Sequence, residues 1–374
     1  MLEVRSGQRG DAAMLAALAG RLFHEAFAAE NTPEDMRAYL AEHFTEAALG
    51  LVLRDPASEV LVLEDAGTPL GWALLVDGAP APRSPDSPPA HGGELEIRRF
   101  YVESRLHGGD AAPSLLVAAL ERARARGAEA VWLAVWEHNA RAQGFYRKHG
   151  FRRVGRKDFP LGADVQTDDA LLRPCSFGVT LAIVAGGGAT RLGGVCKPLL
   201  RVGGRTVLER LLALRTLADE VLLVSADPRL PDAGLRRVED VLPGRGAPGG
   251  VQAALAGARA PWVLAVAGDM PFLDGRAVLP LLEARSDEVD AVAYTVAGRL
   301  EPLAALYRST LAPRWAEALA GGGASFHELW AELRGRTLPE SVLREATGDT
   351  RAVLSLNLPS DISTWVDAPP APES

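Results

Sequence analysis

The stretch AGGGATRLGGVCKPLL, Ala185 to Leu200, follows the apolar run VTLAIV and decides how the second half of the chain folds. It is a glycine-dense loop with one arginine that ends in a lysine, a composition suited to phosphate. Two familiar phosphate fingerprints do not fit. A Walker loop places Lys-Ser or Lys-Thr after its final glycine, whereas Val195 and Cys196 follow Gly193 and Gly194. A dinucleotide fingerprint counted from Gly186 needs a third glycine where Arg191 stands. What remains is a loop whose backbone N–H groups, at Gly186, Gly187, Gly188 and Gly193, can approach phosphate oxygens closely. Arg191 can fork onto a phosphate, and Lys197 adds a point charge. A plain glycine turn with exposed charges is the competing reading, and the rest of the chain decides between the two.

Around this loop the sequence alternates strand and helix. VTLAIVAG, EVLLVSAD, WVLAVAGDM and VDAVAYTV are continuous apolar runs, the pattern of strands buried on both faces. They predict a parallel or mostly parallel sheet with helices on each side, in which ligands bind beyond the carboxyl ends of the strands. The loop at Ala185 sits at such an end.

Upstream of Pro174 the rhythm differs. LEVRSG reads as a strand, Asp11 to Glu30 as a helix with an aspartate N-cap, and Pro33 to Ala48 as a second helix. SEVLVLEDAGTPLGWALLVDG is two apolar runs about a glycine turn, a hairpin. APAPRSPDSPPAHGG is a proline-rich loop too poor in apolar residues to pack well. ELEIRRFYVE and AEAVWLAVWE are strands flanking the helix PSLLVAALERARARG, and NARAQGFYRKHG is a short helix closed by Gly150. FRRVGRKDFPLG and DDALLRP supply the last strands. This half is α+β, with a sheet largely antiparallel at its start.

Length and composition bound the rest. A chain of 374 residues suggests two domains, with 48% hydrophobic and 24% charged residues describing a globular protein. The net charge of −8 argues against a general nucleic-acid or anionic-membrane binder. Two cysteines, Cys175 and Cys196, make no disulfide framework and suit a reducing compartment. No secretory pattern and no membrane-length apolar run is visible, so a cytoplasmic location is expected.

GGGATRLGGVCKPLLRVGGRTVLER resembles the signature of the molybdenum cofactor guanylyltransferases, nucleotidyltransferases on a Rossmann-like α/β/α fold. Further matches follow in the family's order: VEDVLPGRGAPGGVQAAL, VAGDMPFL, GRLEPLAALYRSTLAP and LSLNLPSDI, from about Thr180 to Asp361. The resemblance implies Mg²⁺-dependent transfer of a nucleotidyl group, from GTP or another NTP, to a phosphate of a molybdopterin-like acceptor. It assigns Asp269 as the Mg²⁺ ligand, Asn357 to the metal or phosphate shell, Asp240 to the nucleotide, and Arg299 and Glu301 to the acceptor pocket. The competing readings are an N-cap for Asp269, a turn aspartate for Asp240 and a surface turn for the other two. Three positions depart from the family. Cys196 stands where it has an acid before the lysine, Ser355 replaces an asparagine and Leu358 a threonine. Those departures leave CTP or a different acceptor open.

The segment from Arg98 to Gly155 resembles the core of GNAT-type N-acetyltransferases. That resemblance implies acetyl-CoA as substrate, an amine acceptor, and a pyrophosphate loop at a helix N-terminus. Aligned to the helix start, the loop's pattern falls on His107, Asp110 and Ala112, with His107 in place of an arginine or glutamine and Asp110 where glycine is expected; a shift of register onto Gly108 and Gly109 is the alternative. A carboxylate beside the pyrophosphate costs on the order of a few kcal/mol unless it turns away. NARAQGFYRKHGF gives Asn139 for the pantetheine arm and Tyr146 as the acid that protonates the departing thiolate, against an aromatic that only packs the helix. Glu94 and Glu96 lie where such enzymes often place a water-linked base; outward-pointing strand carboxylates are the plainer alternative.

The reading is a fused enzyme: residues 1–174 an N-acetyltransferase domain, 178–366 a nucleotidyltransferase domain, and 367–374 a disordered tail. Its expected partners are small molecules only. The alternatives are an N-terminal domain that only binds or docks, and a chain in which neither domain is catalytic.

Overall fold

The computed structural model describes the chain except residues 1, 79, 88–92, 162–163, 186–194, 232–233, 240–244, 322–324 and 368–374. The phosphate-loop residues Gly186, Gly187, Gly188, Arg191 and Gly193, together with Asp240, lie outside the described residues. The chain divides into two compact units, Met1–Ser176 and Phe177–Ser374.

The first unit runs β1 (Leu2–Ser6), α1 (Ala12–Phe27), α2 (Pro33–His43), α3 (Glu46–Val52), β2 (Ser58–Asp65), β3 (Thr68–Asp77), β4 (Glu94–Val102), α4 (Ala111–Ala125), β5 (Ala130–Trp136), α5 (Ala140–Lys148), β6 (Arg152–Leu161) and β7 (Asp164–Pro174). Its strands form one sheet in the order β1-β2-β3-β4-β5-β7-β6. The β4–β5 pair alone is parallel among the described pairings of that sheet. The period-2 alternation of strands sorts the apolar runs onto two faces. Val60, Val62, Trp72 and Leu74 pack under α1, against Leu15, Leu22 and Phe23. Leu61, Leu63, Ala73 and Leu75 pack the opposite way, onto Leu115, Leu116 and Leu120 of α4.

Three expectations change here. The helix read from Pro33 to Ala48 breaks at Phe44, because the Thr45 side chain accepts from Ala48 N (3.2 Å) and starts a new helix. Asp11 precedes α1 but does not cap it; its carboxylate is held by Arg5 at 2.6 Å and by Gln8 N at 2.7 Å. The described part of the proline-rich loop does pack: Ala81 is buried against Trp132, Val154 and Ala170, and polar bonds add to it. Glu94 accepts from Ala81 N and Arg83, while Ser84 N donates to Val154 O at 2.7 Å.

The second unit runs β8 (Val179–Val184), β9 (Arg201–Val202), β10 (Arg205–Thr206), α6 (Val207–Leu212), β11 (Glu220–Val224), β12 (Arg236–Val238), α7 (Gly246–Gly257), β13 (Trp262–Ala267), α8 (Gly275–Glu283), β14 (Ala291–Val296), β15 (Arg299–Arg308), α9 (Ala312–Ala320), α10 (Phe326–Ala331), β16 (Gly335–Pro339), α11 (Glu340–Thr347) and α12 (Pro359–Trp365). The main sheet has the order β12-β11-β8-β13-β15-β14-β16. Strands β12, β11, β8 and β13 are mutually parallel, as expected. Beyond β13 the sheet is mixed: β15 runs antiparallel between β13 and β14. The cause is local. Ala297 and Gly298 both take positive φ (48° and 75°), forming a two-residue turn that can join only antiparallel neighbours.

Strand β8 lies between β11 and β13, so the chain leaves it in opposite directions at its two neighbours, and the carboxyl ends of three parallel strands meet at one edge. Asp367, read as the start of a disordered tail, is held in place. Its backbone N–H donates to Arg201 O, and its carboxylate accepts from Gly203 N and Gly204 N at 2.9 and 2.7 Å. Among the described residues, no helix is long and apolar enough to cross a membrane.

Candidate active sites

At the carboxyl edge of the second unit, three residues far apart in sequence converge. Lys197 opens a single turn of 3-10 helix after the glycine loop, and its Nζ donates to Asp269 Oδ2 at 2.8 Å and to Asn357 Oδ1 at 2.6 Å. Asp269 follows β13, and its backbone carbonyl accepts from Leu356 N at 3.0 Å, which ties the closing segment to the strand end. Asn357 is fixed from behind: Asp361 Oδ2 accepts from the backbone N–H groups of Asn357 and Leu358 at 2.9 and 2.7 Å. Gly268 suits this approach, because a side chain there would be crowded. A Cβ there would lie 3.1 Å from both Ala185 Cβ and Pro198 Cγ, where β8's exit, β13's exit and the Lys197 turn pack closely. The N-cap alternative for Asp269 has no support, since Asp274 caps α8 instead, accepting from Arg276 N. Asp269 Oδ1 is buried with no hydrogen-bond partner among the described residues. Such an acceptor is costly unless something binds it.

Cys196 is half-buried, and its thiol hydrogen-bonds to Asp227, just beyond β11. Burial pushes the thiol's pKa up, whereas the Arg229 side chain holds the Asp227 carboxyl far below the usual carboxylate range. Arg299 and Glu301 lie at the start of β15, Arg299 exposed and Glu301 opposite Tyr294. Burial raises the Glu301 carboxyl, and no described contact joins either residue to the Lys197–Asp269–Asn357 group.

In the first unit the site forms where β4 and β5 part. They pair only from Glu94↔Ala130 to Glu96↔Trp132. A bulge at Arg98, where the register to β3 steps from Ile97 to Arg99, turns the rest of β4 away. The gap is a cavity of about 230 Å³ whose walls include Phe100, Trp136, Asn139, Tyr146 and Asp168. Tyr146 is buried among Phe100, Phe145 and Phe151, and its hydroxyl bonds to no described residue. Burial raises the phenol's pKa, so the group stays protonated at neutral pH, as a proton donor must. Asn139 N-caps α5, Oδ1 accepting from Ala142 N at 3.0 Å.

The pyrophosphate loop differs from expectation at His107. Its Nε2 meets the Val102 carbonyl at 3.1 Å and its Nδ1 meets Arg141. Those partners require the tautomer that donates from Nε2 and accepts at Nδ1, and burial together with Arg141 lowers the ring's pKa. His107 therefore has no N–H left for a phosphate. Gly108 has φ +80°, a left-handed conformation that leads the chain into α4. Asp110 stands at the N-cap of α4 without a side-chain capping bond. Neither strand carboxylate serves as a free base. Glu94 pairs with Arg83, and Glu96 accepts from Arg98 Nε at 2.9 Å and from Lys157 Nζ at 3.1 Å.

Comparison with known proteins separates the two units in the same way. The acetyltransferase (GNAT) family model matches residues 20–151, and the MobA-like NTP transferase domain model matches residues 181–336. An uncharacterized N-acetyltransferase of Mycobacterium bovis is 32% identical over 163 residues, 44% of this chain and 97% of the relative. A probable molybdenum cofactor guanylyltransferase of Carboxydothermus hydrogenoformans is 30% identical over 189 residues, 49% of this chain and 92% of the relative. One from Chloroflexus aggregans is 34% identical over 192 residues, 48% of this chain and 90% of the relative. The chain belongs to both families. Its first half is a GNAT acetyltransferase domain and its second a MobA-like NTP transferase domain.

Sequence reasoning missed three polar groups at these sites. Arg141 of the acetyltransferase domain, two residues after Asn139, is brought to the pyrophosphate loop by His107. Asp168 of the same domain lines its cavity. Asp227 of the MobA-like domain reaches Cys196 from the next strand over. The first had a visible signal, a cation beside the capping asparagine, while the other two depend on which strands are neighbours.

Proposed function

We propose that the MobA-like domain transfers GMP from GTP to a phosphate of a molybdopterin-like acceptor, and that the acetyltransferase domain acetylates an amine with acetyl-CoA. The convergence of Lys197, Asp269 and Asn357 at the carboxyl ends of β8 and β13 carries the first half of this reading. An acceptor phosphate oxygen attacks the α-phosphorus in line, the bond to the β-phosphate breaks, and pyrophosphate leaves. Lys197 is placed to take up negative charge that develops on the phosphates. Mg²⁺ fits the donors present, because the orphan Asp269 Oδ1 and the Asn357 carbonyl are hard oxygens. An ion held by these two oxygens would take its remaining ligands from substrate phosphates and water. When bound, Mg²⁺ neutralises charge on the nucleotide phosphates. CTP is the second reading, favoured by the thiol of Cys196, which bonds to Asp227 in place of the family's acid. A panel of NTPs with molybdopterin and molybdenum cofactor, read by pyrophosphate release, tests both. GTP is expected to lead, and turnover with no nucleotide sinks the proposal.

In the acetyltransferase domain, the α4 N-terminus and Arg141 would hold the pyrophosphate of acetyl-CoA. Arg141→Ala is expected to raise the acetyl-CoA dissociation constant by about 10- to 100-fold, the worth of one hydrogen bond to a charged group. Calorimetric titration checks this, and unchanged affinity contradicts the placement.

A further inference from the structure

The acetyltransferase cavity contains one carboxyl group that the reading above does not use. Asp168 on β7 is only 9% exposed, lines the same cavity as Tyr146, and makes no hydrogen bond or ion pair with any described residue. The carboxylates near it are otherwise engaged, Glu94 by Arg83 and Glu96 by Arg98 and Lys157. The nearby cations are committed too. Lys157 on β6 donates to Glu96 and lies over the Trp132 ring. Arg99 on β4 gives its hydrogen bonds to the Tyr39 hydroxyl of α2, at 2.6 Å, and to Tyr101.

We propose that Asp168 receives the ammonium group of the acceptor and takes its proton, so that this residue, and neither Glu94 nor Glu96, is the base of this domain. This rests on the acetyltransferase reading of the domain. A buried carboxylate without a donor is unfavourable, and a cationic substrate supplies the missing partner. The groups facing it are Lys157 from β6, Arg99 and Tyr101 from β4, Tyr39 from α2, Gln166 and Asp169 from β7, and Glu137 beyond β5. Burial pushes the Asp168 carboxyl up to about 6, with Lys157 and Arg99 opposing that rise and Asp169 and Glu137 adding to it. A carboxyl in that range is ionised at neutral pH yet basic enough to accept a proton.

The protons and bonds balance. The ammonium gives one proton to Asp168, and the free amine attacks the thioester carbonyl carbon. The C–N bond forms as the C–S bond breaks. Tyr146 protonates the thiolate, and the second proton shed by nitrogen restores Tyr146 through water. Asp168 releases its proton to solvent, so one proton appears per turnover.

The test uses the full chain, acetyl-CoA, and phenethylamine, spermidine, lysine and an alanyl peptide as acceptors, with thiol release and product mass as readouts. Wild type should acetylate at least one of these amines, with a rate that falls as pH drops through about 6, because Asp168 must be ionised. Asp168→Asn should lower kcat/KM about 100-fold at pH 7.5, abolish that acid limb, and leave stabilisation by acetyl-CoA intact. Asp168→Glu should restore part of the rate. A rate within about threefold of wild type in Asp168→Asn, or an intact acid limb, overturns the assignment. Binding of acetyl-CoA without acetylation of any amine overturns it as well. Absence of acetyl-CoA binding to wild type instead removes the acetyltransferase reading beneath it.

Discussion

Asp269→Asn is expected to lower pyrophosphate release by about 100- to 1,000-fold while the protein stays folded, since removing one preorganised charge at a transferring phosphoryl centre has that effect. The asparagine keeps the shape of the side chain and can still accept from Lys197, so the hydrogen-bond frame around Leu356 and Asn357 persists. What disappears is the anionic oxygen that has no hydrogen-bond partner among the described residues. The Lys197–Asp269 pair is mostly buried, so removing one of its charges also costs stability, and the loss of rate has to be read beside a measure of folding. Steady-state kinetics with a thermal melt separate the two. An unchanged rate removes Asp269 from the catalytic group, and a collapsed melting temperature shows a structural role instead.

The second large effect belongs to Tyr146. Tyr146→Phe should reduce acetyl transfer about 100-fold in kcat, the range lost with one positioned acid, and leave the KM for acetyl-CoA near its wild-type value. The phenylalanine keeps the ring contacts with Phe100, Phe145 and Phe151, so the deletion is confined to a hydroxyl. A thioester whose thiolate leaves without protonation provides the control. If Tyr146 acts as the acid, that substrate should react almost equally with both proteins. An equal loss with both thioesters would show that the hydroxyl only organises the cavity.

The two halves were legible in the sequence to different depths. In the MobA-like domain, Lys197, Asp269 and Asn357 stand at strand ends or in short motifs, and the parallel sheet brings such ends together whatever the details of packing. The antiparallel β15 was not anticipated, although the Ala297–Gly298 turn that causes it was present in the sequence. In the acetyltransferase domain, the backbone devices were readable: the hairpin of β2 and β3, the helix over NARAQGFYRK and Gly108. The ionisable residues were not. Glu94 and Glu96 were the natural candidates for a base because they sit on the right strand, yet each is neutralised by a cation, Arg83 and Lys157, that only tertiary structure brings near. Asp168 lies on a late strand whose place beside β5 follows from the β7–β6 hairpin being inserted in reverse order. Ion pairing among side chains distant in sequence is set by that order, and no local pattern records it. His107 shows the same point on a smaller scale: it precedes α4 as the sequence has it, but its donor is used by Val102 and its lone pair by Arg141.

The measurement that bears most directly on the account is transfer of label from GTP carrying a labelled α-phosphate to molybdenum cofactor by the full chain with Mg²⁺. The prediction is a labelled dinucleotide product formed in step with pyrophosphate and lost in Asp269→Asn. No labelled product from any NTP tested, with the acceptor in excess, would contradict it.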